Sequence, residues 1–163
     1  MPGALAAGRP SRTQAAPKAP AHIHMTSARL FTLAGARRKD PAVEQWFAAP
    51  PADLRSIARR WFLEMRSSGP DVFELLHDGH PTSCVRDLAL GYVNAFTAHV
   101  NVGFYFGTCL RDPSRLLEGT GRFMRHVKVR PGGFTHEAAL QALIVDAYAD
   151  IKIRLAARSA RGG

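Results

Sequence analysis

Between Leu116 and Arg130 the chain reads LLEGTGRFMRHVKVR. Gly119 and Gly121 flank Thr120, and Arg122, Arg125, Lys128 and Arg130 follow within nine residues. Glycines ahead of cations raise the question of a phosphate-binding loop. A P-loop needs G-x-x-x-x-G-K-[ST] between a strand and a helix, so that backbone N–H groups and the helix N-terminus meet the anion. Here the glycines precede a strand pattern, and the Rossmann glycine pattern is absent, so neither nucleotide loop is present. A different anion chemistry remains. In HVNVGFYFG the residues His99, Asn101, Gly103 and Tyr105 alternate with Val100, Val102, Phe104 and Phe106. In RHVKVR, His126, Lys128 and Arg130 alternate with Val127 and Val129. If the two strands pair, one face carries His99, Asn101, Tyr105, His126, Lys128 and Arg130, with Arg122 reaching in from the loop. Cationic and neutral donors on one face suit a small anion. These seven residues, with the Gly119–Gly121 loop, are the expected ligand-binding set.

Other chemistry finds less support. LHDGHP offers His77, Asp78 and His80, but H-D-G-H matches no zinc or iron ligand spacing, so no metal site is assigned. Cys84 and Cys109 lack a C-x-x-C arrangement; they are expected as small buried hydrophobes in a reduced compartment. No serine sits in an elbow motif, and no paired carboxylates stand out. No residue is therefore assigned to catalysis, no cofactor is expected, and a binding protein is the expected class.

The elements that would hold these residues follow from periodicity. Asp40 before Pro41 forms an N-cap and first-turn pair, and Pro50-Pro51 ends that helix. Leu54, Ile57, Ala58, Trp61, Phe62 and Met65 form one amphipathic stripe. Arg55, Arg59, Arg60 and Arg66 are then expected as a solvated face. Asp71 is expected to cap a short helix through Val72, Phe73, Leu75 and Leu76, closed by Gly79. PTSCVRD is expected as a short edge strand. LALGYVNAF and HVNVGFYFG read as strands joined by a hairpin near Thr97-Ala98. A last helix is expected from Thr135. Helices at both ends of a central antiparallel block predict an α+β two-layer domain with its helices packed on one face of the sheet.

The chain has 163 residues and a formal charge of +9, a length typical of one domain. Residues 1–27 hold three basic residues and no acid, and 151–163 hold four and no acid. The segment 28–150 carries 15 Lys/Arg against all 13 Asp/Glu. The expected organisation is a disordered basic arm at 1–27, a domain at 28–155 and a flexible basic tail at 156–163. Such ends would attract nucleic acid weakly and without sequence preference. No run of about 18 apolar residues predicts a membrane span. The N-terminal stretch lacks an apolar signal core, so a cytoplasmic protein is expected, translated from either Met1 or Met25.

The run YVNAFTAHVNVGFYFGTCLRDPSRLLEGTGRFMRHVKVR, residues 92–130, resembles the YdhG-like family of small bacterial proteins (domain of unknown function 1801). The markers are HVNVGF, the DPSRLLEGTG loop and RHVKVR, and the flanking helices extend the likeness over about residues 40–155. The resemblance implies a compact antiparallel sheet with helices on one face. Some members of that family are described as frataxin-like iron chaperones, so iron binding or delivery is an alternative expectation. Frataxin-type proteins hold iron on an acidic helix ridge, whereas the helix over 52–67 carries four arginines and only Asp53 and Glu64. A net positive helix would repel ferrous iron. A small anionic ligand is therefore the preferred expectation, followed by iron binding and then by a nucleic-acid accessory role; a protein partner is not specified.

Overall fold

The computed structural model describes residues 31–163; the expected arm at 1–27 and its histidines lie outside them. Two N-terminal helices, α1 (Pro41–Ala48) and α2 (Ala52–Arg66), precede five strands. The strands are β1 (Val72–His77), β2 (His80–Val85), β3 (Leu88–Ala95), β4 (Val100–Phe104) and β5 (Arg125–Val129), followed by α3 (Glu137–Arg161). The strands form one antiparallel sheet in the order β1-β2-β3-β4-β5. The α+β expectation is the observed architecture.

Asp40 caps α1 as expected: its Oδ1 accepts from Ala42 N–H at 3.0 Å, and Pro41 takes the first helical position. The stripe of α2 lies against β3 and β4. Gly91 gives it room there, since a Cβ at that position would stand 2.8 Å from the Met65 Cε. Val93, Val102, Phe104, Val127 and Val129 complete this inner face and are buried. α3 packs beside α2. Trp61 meets the ring of Phe134 at 6.0 Å, and Arg60 binds Glu137 with two hydrogen bonds of 2.6 and 2.8 Å.

Four expectations are corrected. Residues 72–77 are the strand β1 rather than a helix, and β2 is an interior strand rather than an edge. The reason is the turn. Asp78 and Gly79 both have positive φ, the signature of a two-residue hairpin loop, and His77 pairs directly with His80. The tail expected at 156–163 is helical through Arg161. Of its two cations, Arg158 binds Asp87; just ahead of the tail, Lys152 binds Asp71 and Arg154 pairs with Asp150 at 2.7 Å. Cys109 is exposed, while Cys84 is buried and burial pushes its thiol up to about 12.

Two of the α2 arginines, Arg55 and Arg66, are fasteners, whereas Arg59 and Arg60 stay on the exposed face as expected. Arg55 stacks 3.6 Å over the Trp46 ring and donates to the Trp46 carbonyl at 2.9 Å. Arg66 binds the buried Glu74 at 2.9 Å and also donates to the carbonyls of Val72 and Arg38. Glu74 in turn accepts from Asp40 N–H at 2.9 Å, and Asp40 accepts from Leu76 N–H at 3.1 Å. This network ties the start of α1 and the end of α2 to β1.

Candidate functional site

β4 and β5 pair in the expected register, with Asn101 opposite Lys128 and Gly103 opposite His126. Alternation then puts Asn101, Gly103, His126 and Lys128 on the face away from α2, as the sequence predicts. That face is not an open polar surface. Tyr105 is 5% exposed and Asn101 8%. The ring of Phe31 packs edge-on against Tyr105 at 5.1 Å, and Tyr92 stands 5.9 Å from Tyr105. Tyr92 lies across Gly103, where a Cβ would come within 2.0 Å of its ring. Residues 31–37 seal the margin through bridges from Thr32 to Leu88 and from Arg37 to Glu74. Burial raises the Tyr105 hydroxyl to about 12. Tyr105 is therefore part of an aromatic layer and not an open ligand donor.

The seven expected residues divide accordingly. His99 sits at the β3–β4 turn, stacked on Phe96 at 4.9 Å. Arg122 is exposed, with its guanidinium 5.1 Å over the Phe123 ring, and does not reach the sheet residues. Asn101 is enclosed, and among the described residues nothing donates to its Oδ1. Burial lowers the pKa of His126, and only the neighbouring Glu118 resists that shift. At neutral pH His126 is therefore uncharged, and its 4.0 Å approach to Glu118 is not an ion pair. Lys128 holds that carboxylate instead, at 3.0 Å, and this hydrogen bond draws Glu118 below the usual carboxylate range.

Lys128 and Arg130 do border a concavity. A pocket of about 280 Å³ lies where β5 meets the two loops on either side of it. Arg115, Glu118, Lys128, Arg130, Gly132 and His136 are among its lining residues. Glu118 is the one acidic residue of the lining, which also holds Arg115, Lys128 and Arg130. Each cation is placed by local chemistry. Arg115 has φ of +54°, and the loop around it is tied by Asp112, which accepts from Leu116 and Leu117 N–H at 3.0 and 2.7 Å. Glu118 forms a two-hydrogen-bond bridge with His126 at 2.8 and 3.0 Å, fixing this loop along β5. After Arg130 the chain reverses through Pro131, Gly132 and Gly133, and both glycines have positive φ that side chains resist. That reversal delivers the start of α3, whose N-cap residue His136 makes no side-chain capping bond.

Sequence patterning found Lys128 and Arg130 but missed Arg115, Glu118 and His136, which come from separate segments. The available signal was the Pro-Gly-Gly turn directly after Arg130. Elsewhere, no group of three or more His, Cys, Asp or Glu among the described residues comes together in a way that could hold a metal ion. No helix among them is long and apolar enough to cross a membrane. Comparison with family models, curated proteins and solved structures finds no match to this chain.

Proposed function

We propose that the chain is a small cytoplasmic binding protein of the YdhG-like kind that takes a small oxyanion, a phosphate or a carboxylate, in the pocket beside β5. The observation that carries this reading is the convergence of Arg115, Lys128 and Arg130 on one concavity with Glu118 as its single acid. Guanidinium groups donate two parallel hydrogen bonds to an oxyanion, and the adjacent helix start adds the positive end of its dipole. The volume of about 280 Å³ lies at the small end of ligand pockets, roughly 300–1,000 Å³, which favours a compact ligand over a nucleotide. Lys128 is partly neutralised by Glu118, so Arg115 and Arg130 carry most of the attraction.

Calorimetric titration of the full chain with inorganic phosphate, a simple phosphate ester and a dicarboxylate tests the proposal. Binding of at least one is expected, lost in Arg115→Ala with Arg130→Ala and retained in Arg122→Ala. Silence from all three anions, or binding indifferent to the double substitution, overturns it.

A further inference from the structure

The outward face of α3 has no partner among the described residues, and its character is wrong for water. Val145 is 64% exposed and Ile153 59%, and the residues between and beyond them on that face are alanines. The spacing averages about 3.7 residues per turn, so the stripe stays on one side of a straight helix. Over its whole length the stripe also reads the same from either end. Reversed about Ala149, Ala138 falls on Ala160, Ala142 on Ala156 and Val145 on Ile153. Small residues at the ends let two backbones approach closely, and the branched pair fills the space on either side of the centre.

The charges of α3 obey the same reversal. From Glu137 to Ile151 the helix carries Glu137, Asp146 and Asp150 and no basic residue. From Lys152 to Arg161 it carries four basic residues and no acid. A parallel copy would set like charges together, whereas an antiparallel copy sets acid against base. Reversal about Ala149 brings Asp146 to Lys152 and Glu137 to Arg161. Asp146 and Arg161 form no ion pair among the described residues. Opposed helix dipoles favour the same orientation.

A groove of about 640 Å³ runs beside the first half of the stripe, with Pro113, Ala139, Ala142 and Leu143 as its apolar wall and Asp146 at its border. In the antiparallel arrangement the second copy contributes Ile153 and Ala156 to that side. We infer that the chain forms a twofold-symmetric dimer in which α3 packs antiparallel on the α3 of a second copy, centred on Ala149. An isologous contact of this kind closes on itself and leaves no unpaired face to propagate.

Sedimentation equilibrium of the full chain reads the mass directly. The expected result is a species of twice 17.8 kDa that becomes monomeric in Val145→Glu with Ile153→Glu while the far-ultraviolet circular dichroism is unchanged. The geometry is tested by cross-linking with a short bifunctional maleimide in a Cys109→Ser background. Ala149→Cys is expected to link to its own copy. Val145→Cys is expected to link to Ile153→Cys when the two proteins are mixed. A wild-type chain that stays monomeric over the accessible concentration range overturns the inference, as does a dimer that survives the glutamate pair. A dimer in which Ala149→Cys fails to link refutes the antiparallel arrangement.

Discussion

Asn101 offers the sharpest test of how the sheet is built. The residue is 8% exposed, and among the described residues nothing donates to its Oδ1. An acceptor stripped of water without replacement costs about 1–3 kcal/mol. Leucine has nearly the same shape and no polar atom, so Asn101→Leu removes that penalty without opening a cavity. The fold should gain about 1–3 kcal/mol, which for a chain of this length raises Tm by roughly 3–10 °C. Urea denaturation followed by tryptophan fluorescence would show a higher midpoint at unchanged slope. Because Asn101 does not line the pocket beside β5, phosphate titration should be unaffected. A midpoint that falls would refute the reasoning, since it would mean that the amide has a partner within the fold that leucine cannot supply.

Three other substitutions probe the scaffold. Gly103→Ala drives a methyl into the Tyr92 ring and should cost about 1–3 kcal/mol; in a Tyr92→Ala background most of that cost should vanish, and additive losses in the double-mutant cycle would show that the two do not touch. Glu74→Ala strips the buried partner of Arg66 and should destabilise by about 3 kcal/mol. The exposed pair of Glu44 with Arg59 should yield less than about 1 kcal/mol on Glu44→Ala, and equal effects at the two sites would contradict the network described here. Burial holds both His80 and His126 below their ordinary values, so the folded state favours neutral imidazole. Above the unfolded value of about 6.5 neither contributes; as pH falls through it, the unfolded chain binds protons first and stability drops. The urea midpoint should therefore decline from about pH 7 to pH 5, less steeply in His80→Gln with His126→Gln, and an unchanged slope in that variant would exclude these two groups as its cause.

The parts of the fold legible in sequence are those fixed by local rules. Asp40-Pro41 and the stripe from Leu54 to Met65 specify their helices within a few neighbours, and the alternation from Val100 to Phe104 and from Arg125 to Val129 specifies two strands. Val72, Phe73, Leu75 and Leu76 fit either period over so short a run; the Asp78-Gly79 pair carried the deciding information, as a hairpin loop rather than a helix end. The candidate site was half legible for a different reason. Lys128 and Arg130 follow from parity on one strand, whereas the enclosure of Tyr105 depends on Phe31, some seventy residues earlier in the chain. Arg115 enters the pocket only because Asp112 ties its loop and Glu118 bridges to β5. No periodicity reports a contact of that kind.

The two edges of the sheet bear on how the chain can meet other molecules. An exposed edge strand is a template for pairing with a second chain, yet both edges here are occupied. Arg37 exchanges two backbone hydrogen bonds of 2.9 and 2.8 Å with Glu74 on β1, and Glu118 does the same with His126 on β5. Each plug is a single residue, and charge braces both sites: Glu118 binds Lys128 at 3.0 Å, and on β1 Arg66 binds Glu74 at 2.9 Å and donates to the Arg38 carbonyl beside the Arg37 plug. Self-association through strand addition would have to displace these pairs, whereas association through α3 displaces only water from Val145, Ala149, Ile153 and the flanking alanines. The plug on β5 has a second consequence. By engaging Glu118 it keeps the one carboxylate of the pocket turned toward Lys128, which leaves Arg115 and Arg130 as the cations open to a ligand. Glu118→Gln should therefore strengthen anion binding by freeing Lys128, while loosening the β5 edge.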